Sequence, residues 1–311
     1  MTEFVKTDET VLLAEIETDY GQVNTSPNPL PMLTSGFSIT PLESTILQRD
    51  LDRPGFGADP VLLSGVHVSC NFSVELAGSG MAGDPLPYAA ILRGCGRAEE
   101  TSSGTSAVYA PISDAFESLT LDAHLDGIHH QVTGWRGAYG LSIAAGSLPT
   151  LSVQGSGLYV APDNAAFPVV NFDDFQAPLP VEFSNTVATF GGETLPTVNF
   201  SVGQGDQVNY RNLINQEAVT IDGRALTGTM EVLMNEDLTT FDPYTLAKAG
   251  GSIDLKIVHG NVAGHILEVD APQVQIDSVS MGTSGGERTW QLGLRFIATD
   301  AGNDELILTA K

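Results

Sequence analysis

Three groups of residues have the types and spacing that chemistry asks for, and each fails a structural condition. The run Gly78-Ser79-Gly80-Met81-Ala82-Gly83 has the spacing of a dinucleotide-binding glycine loop and follows a predicted strand. Holding a phosphate there needs a helix that starts within the run, so that its free N–H groups meet the anion. Asp84-Pro85-Leu86-Pro87 breaks the chain directly afterwards. The run is therefore expected to be a flexible loop. Histidines His124, His129 and His130 gather near one expected hairpin, with His259 and His265 near another. Adjacent strand residues point to opposite faces, so His129 and His130 make a poor metal clamp; a surface or interface role is expected. Asp173-Asp174 lacks the further oxygen ligands a hard cation needs.

Cys70 and Cys95 stand without a second cysteine pair. Residues 1–20 scatter acids among apolar residues and lack the basic-then-apolar start of a secretory leader, so buried free thiols are expected. No nucleophile elbow, H-E-x-x-H, P-loop or paired-cysteine motif occurs. Neither an enzymatic role nor a cofactor nor a metal is expected.

The elements that must position these residues are short strands. Charged residues make up only 16% of the chain and glycines number 33, which suits strands and turns better than long helices. No apolar run approaches the roughly 20 residues of a membrane span, and no membrane partner is expected. With 38 acidic against 13 basic residues, the net charge of -25 repels a phosphate backbone, which excludes a sequence-reading DNA binder. A length of 311 residues fits two domains of about 150 each.

Those two domains are expected to be copies. From Gly65 to Leu76, Val66, Val68, Cys70, Phe72, Val74 and Leu76 share one face, and His67, Ser69, Asn71, Ser73 and Glu75 share the other. Setting Gly223 on Gly65 gives Leu226, Met230, Val232 and Met234 the same parity, which a one-residue slip would destroy. A short helix follows in each copy, at Pro87–Gly96 and at Pro243–Gly251, with proline in its first turn and glycine at its end. Next comes a hairpin, with an Asp126-Gly127 turn of type I′ in the first copy and a Gly260-Asn261 turn in the second. Closing strands carry Leu151, Val153 and Tyr159, then Trp290, Leu292, Leu294 and Phe296. The repeat thus runs from Arg49 through Gly65, Pro87 and Ser118 to Val160, and again from Arg211 through Gly223, Pro243 and Ser252 to Ile297. The expected division is an N-terminal arm outside the first core (1–32), a first domain (33–160), a stiff proline-rich linker (161–185) and a second domain (186–311).

Along these residues the chain resembles the tail tube proteins of long-tailed phages. The resemblance is carried by Phe37-Ser38-Ile39-Thr40-Pro41-Leu42-Glu43, Gln48-Arg49-Asp50-Leu51-Asp52-Arg53-Pro54, Val74-Glu75-Leu76-Ala77-Gly78-Ser79-Gly80, Leu92-Arg93-Gly94-Cys95-Gly96, Phe175-Gln176-Ala177-Pro178-Leu179-Pro180 and Tyr210-Arg211-Asn212-Leu213. It covers most of the chain from about Thr34 onward. It implies a mainly β fold of two tandem tail-tube-type β-sandwich or β-barrel domains, each with one short α-helix. It also implies a siphophage-type major tail tube subunit whose sheets join edge to edge in stacked rings. Single-domain relatives form hexameric rings, so two domains per chain imply a pseudo-hexameric ring of three chains.

The partners this implies are further copies of the chain, the tape-measure, tail terminator and distal tail proteins, and genomic DNA in transit without specific binding. The location implied is the virion tail, after assembly in the bacterial host cytoplasm. A wall of carboxylates lets DNA slide rather than stick, and the acids expected to line the lumen are Glu75, Asp122, Glu231 and Asp254. The long connection Asp52–Pro60, with Arg53 and Phe56, is the expected contact between rings. Two rivals stay open at this level. One is a two-domain β-sandwich adhesin or carbohydrate-binding module of a tail tip or surface structure, against which Trp135 and Trp290 offer few aromatic platforms. The other is the tube protein of a secretion or contractile apparatus.

Overall fold

Alternating side chains in a chain poor in charge favour strands, and among the described residues twenty form, with two short helices between them. The computed structural model describes residues 6, 9–52, 54 and 57–311. The first half carries β1 (Thr10–Ile16), β2 (Leu30–Met32), β3 (Ser35–Gln48), β4 (Val61–Glu75), α1 (Ala89–Gly94), β5 (Arg97–Ser102), β6 (Ser106–Pro111), β7 (Leu119–Leu125), β8 (Ile128–Ala144), β9 (Thr150–Tyr159) and β10 (Asp163–Asn164). The second carries β11 (Thr186–Phe190), β12 (Glu193–Thr194), β13 (Thr197–Gly203), β14 (Val208–Leu213), β15 (Gln216–Ile221), β16 (Thr227–Leu233), α2 (Pro243–Ala249), β17 (Ser252–His259), β18 (Leu267–Ser284), β19 (Glu287–Phe296) and β20 (Ile307–Ala310).

Hydrogen-bonded neighbours in the first half run β3-β4-β9-β8-β7-β1-β2. In the second half they run β13-β16-β19-β18-β17-β11-β12. The two orders match strand for strand, and all these pairs are antiparallel. Parity holds as well: Val68, Cys70, Phe72 and Val74 point into one core, and Leu226, Met230 and Val232 into its counterpart. The match also reaches further back than Arg49 and Arg211, to β1 and β11. Those strands share topology with little residue similarity, so only the fold displays the full extent.

Each unit turns a corner through one long strand. β8 pairs with β7 through its first part and is irregular between Thr133 and Arg136. β18 pairs with β17, then shifts register between Ile276 and Ser278. Bulges add local bend and twist, which lets one strand serve both sides of a core. In the first unit the corner is filled by Trp135, fully buried. A Cβ on Gly155 or Gly137 would come within 2.5 Å of its ring, so both positions need glycine for space.

Four sequence expectations change. Among the described residues, the stretch from Glu9 to Met32 packs onto the first core and does not form an arm outside it. β1 lies between β2 and β7, with Val11, Leu12, Leu13 and Ala14 all buried. Both faces are covered, so it reads as an apolar run without the alternation that marks a half-exposed strand. Glu17 anchors its end: it accepts hydrogen bonds from the Gly21 and Gly134 N–H groups, each at 2.7 Å, and from the Ser118 and Thr120 hydroxyls. The Asp126-Gly127 turn joins β7 to β8 in two residues, but only Asp126 has positive φ, at 54°, so it is not of type I′. Lys6 reaches this turn, where its backbone N–H donates to the Asp126 carboxylate. The second expected turn is longer than Gly260-Asn261, since β17 ends at His259 and β18 begins at Leu267.

That longer connection explains the fourth change. The Gly78–Gly83 run is not a flexible loop: Gly80 N–H donates to the Gly264 carbonyl at 2.9 Å, and a Cβ on Gly78 would sit 2.1 Å from the same oxygen. The glycines let two backbones from different halves touch.

Candidate functional site

The two halves are sewn together by a strand pair. The last part of β8 leaves β7 and pairs with β13, the end strand of the second unit's order, with Gly140 opposite Gly203, Leu141 opposite Val202 and Ser142 opposite Ser201. The apolar parity closes over a common core: Leu141 is 4% exposed and Val202 2%. β20 adds a second link by bridging β18 and β6, and the buried Arg97 donates to the Leu306 carbonyl beside it.

Across this seam the opposite parity makes a continuous polar row. Glu75, Thr150, Ser142, Ser201, Thr229, Gly293 and Ser278 lie opposite one another in turn on β4, β9, β8, β13, β16, β19 and β18. The neighbouring row runs Ala144, Asn199, Glu231, Gln291 and Ser280. With β3 beside β4, the result is an eight-stranded wall of small, mostly uncharged polar groups with sparse carboxylates.

The wall ends in two edges. β3 pairs only with β4, and the last part of β18, from Ser278 to Ser284, pairs only with β19 among the described residues. These are the counterparts of the seam strands. Val153 and Leu292 face the matched Phe72 and Met230, which sets Tyr139 on Val279 and Leu141 on Met281. By the same registers Ile39 falls on Val202. Leu141 is buried in the seam, yet Met281 is 60% exposed at the free edge. Phe37 and Ile39 are only half-buried.

The expected lumen acids fall into two pairs. Glu75 and Glu231 share the polar face of the wall; Glu75 is exposed, while Glu231 accepts from Asn199 Nδ2 at 2.8 Å and Thr289 Oγ1 at 2.7 Å. Asp122 and Asp254 lie on β7 and β17, beyond the bend. Asp254 is exposed, but Asp122 is held by His129 Nε2 and Gln131 Nε2, each at 2.9 Å. Arg53 and Phe56 lie outside the described residues.

His129 bridges Asp122 and Asp163, and its ring stacks on His124 at 4.6 Å. Burial holds the His124 and His130 rings below the usual histidine range, with His129 adding to the effect on both. Among the described residues no group of three or more His, Cys, Asp or Glu side chains is arranged to hold a metal. Both cysteines are buried free thiols, and burial pushes the Cys70 thiol up to about 12, far from any reactive range.

Sequence reasoning missed Asp206, just past β13. Burial pushes its carboxyl up to about 7 against the pull of the Arg97 and Arg224 guanidinium groups. Arg224 itself is held in a fork by Glu305 at 2.9 Å and 3.1 Å. No local pattern around Asp206 signals burial, because Arg97 opens β5 and Arg224 lies in the connection between β15 and β16.

Open, matched sheet edges beside a polar wall define a structural subunit that associates with copies of itself. A family model described as phage tail tube protein matches residues 7–302, nearly the whole chain, and the chain belongs to that family. It is a structural component of a bacteriophage tail that self-assembles into a tube. None of the curated proteins compared with it matches.

Proposed function

We propose that the chain is the major tail tube subunit of a siphophage-type tail, and that three chains close a pseudo-hexameric ring. The carrying observation is the seam between β8 and β13. It joins unit one to unit two within the chain, and the same two strand types lie open at the ends as β18 and β3. Repeating the joint between chains gives six similar joints for three chains. A joint that repeats by a closing rotation leaves no strand edge exposed, which answers the aggregation hazard of open edges. The carried-over register sets Met281 of one chain opposite Ile39 of the next, and Ser280 opposite Thr40.

The polar wall then faces the lumen, with Glu75 and Glu231 as its acids. Small hydroxyls and carboxylates offer a phosphate backbone no cation to grip, so DNA passes without specific binding. Asp122 and Asp254, beyond the bend, are the weaker lumen assignments. The domains divide at 33–160 and 186–311 around the 161–185 linker, with β1 and β2 added to the first. Arg53 and Phe56 lie in the contact between rings. The tube meets tape-measure, terminator and distal tail proteins, assembles in the host cytoplasm, carries no catalytic activity, and serves DNA ejection.

The test is a cysteine pair, Thr40→Cys with Ser280→Cys. Directly opposed strand residues place their Cβ atoms about 4.5–5.5 Å apart, close to disulfide range. The native cysteines are buried and do not compete. Oxidation should give a denaturing-gel ladder that stops at three chains. A ladder that continues past three, or no cross-link at all, overturns the ring.

A further inference from the structure

We propose that the stem of the β3–β4 hairpin, residues 42–48 and 61–64, is a lateral docking arm that lies on the second unit of the next chain in the same ring. The proposal rests on the ring reading above and adds a contact that edge pairing does not require.

The arm is apolar on both faces. Leu42, Ile46, Leu47, Val61, Leu62 and Leu63 are all exposed, although Ile46 faces Leu63 and Leu47 faces Leu62 within the ribbon. A two-stranded ribbon with such faces is marginal in water without a third layer, and a patch of this kind marks an interaction surface.

The occupant follows from what the second unit does with its own arm. There the same position in the topology, between β13 and β16, is filled by the β14–β15 ribbon, which is seated on the first unit. Tyr210 stacks on His67 with ring centroids 4.2 Å apart. Val219 is gripped at both backbone groups: its N–H donates to Tyr20 Oη at 2.6 Å, and its carbonyl accepts from Arg136 Nη1 at 2.8 Å. The alignment that sets Gly65 on Gly223 sets Val61 on Val219 and Leu63 on Ile221. Val219 is fully buried, whereas Val61 is 48% exposed. One arm has its seat inside the chain; the matching seat for the other exists only on another copy.

The seat can be placed. The Ile221 side chain lies 3.5 Å from where a Cβ on Gly96, just past the α1 C-cap, would stand. The counterpart of that turn is Gly250, the left-handed C-cap of α2. The two helices differ in burial in the same sense: α1 buries five of its residues and α2 only Pro243. β3 leads directly from the proposed inter-chain joint into the arm, so joint and arm meet the same neighbour. Leu63 should therefore lie over the turn Gly250-Gly251 and the adjoining face of α2.

The experiment places the photo-reactive residue benzoylphenylalanine at Leu63 in the Thr40→Cys, Ser280→Cys background. Disulfide-closed trimers are isolated at a dilution that prevents stacking, irradiated, and mapped by mass spectrometry. Cross-links from Leu63 to peptides spanning α2 and Gly250, in isolated trimers, are the expected result. Trimers that give no such cross-link, or give it only after stacking into tubes, overturn the lateral arm and leave the ring standing; the second pattern assigns the arm to the adjacent ring. Failure to form trimers overturns the ring itself, and the arm with it.

Discussion

Leu141 on β8 and Val202 on β13 face each other across the line where the two repeated units meet, and both are buried. Their counterparts, Met281 and Ile39, sit on opposite open edges of the same wall. Leu141→Ala should lower stability by about 2–5 kcal/mol, since it empties a packed core position. Met281→Asp should change monomer stability by less than about 0.5 kcal/mol, as surface substitutions do, while abolishing rings. Thermal unfolding together with size-exclusion chromatography separates the two; a Met281→Asp protein that still forms rings contradicts the edge assignment.

Glu17→Ala should be among the most destabilising substitutions in the first unit. It strands two backbone N–H groups and two hydroxyls that share one carboxylate. Each unsatisfied buried donor costs about 1–3 kcal/mol, and the loss should appear as a lowered urea midpoint. A change within error would mean that water replaces the carboxylate.

Asp206 gives a pH test with a definite sign. An unfolded aspartate titrates near 3.9, whereas burial raises the folded group to about 7. The folded state holds this proton more tightly, so the contribution is present below about pH 4 and is lost as pH rises through the folded value of about 7. Relative to Asp206→Asn, the wild type should lose on the order of 3 kcal/mol between pH 4 and 8. Parallel stability curves for the two proteins would show that Asp206 is not held protonated.

Arg136→Met removes the side chain that ties the β14–β15 ribbon to the first unit, through the Phe116, Glu117 and Val219 carbonyls and the face of Tyr20. Amide hydrogen exchange should speed up at least tenfold in residues 208–221, with smaller changes in β16 and β19. Uniform protection across all three would deny Arg136 its anchoring role.

For the lumen, Glu75→Lys is a cleaner probe than a lysine at position 231, because Glu75 is exposed while Glu231 accepts two hydrogen bonds. Phage carrying Glu75→Lys should assemble normal tails and eject DNA more slowly, with the defect relieved by added salt as phosphate contacts are screened. Normal ejection at low salt would remove Glu75 from the lumen.

The sequence by itself determined the class of strand, the facing of β4, β16, β9 and β19, the two helices with their glycine ends, and the existence of a repeat. Those features are local: a period of two and a helix stop are written in neighbouring residues. It also carried enough of the family's residues to indicate a tube subunit.

Tertiary structure decided the rest. β1 was hidden because burial on both faces erases alternation. The glycine run Gly78–Gly83 was misjudged because its partner, Gly264, lies in the other half of the chain, and close backbone contact leaves no local signature. The pairing of β8 with β13, and with it the meaning of the exposed Met281, depends on a bulge that frees the end of one long strand to meet the next unit. Strand pairing is a contact between residues far apart in sequence, and no periodicity records which edge meets which. That is why the repeat could be read from the chain, while the joint that turns it into a wall could be read only from the fold.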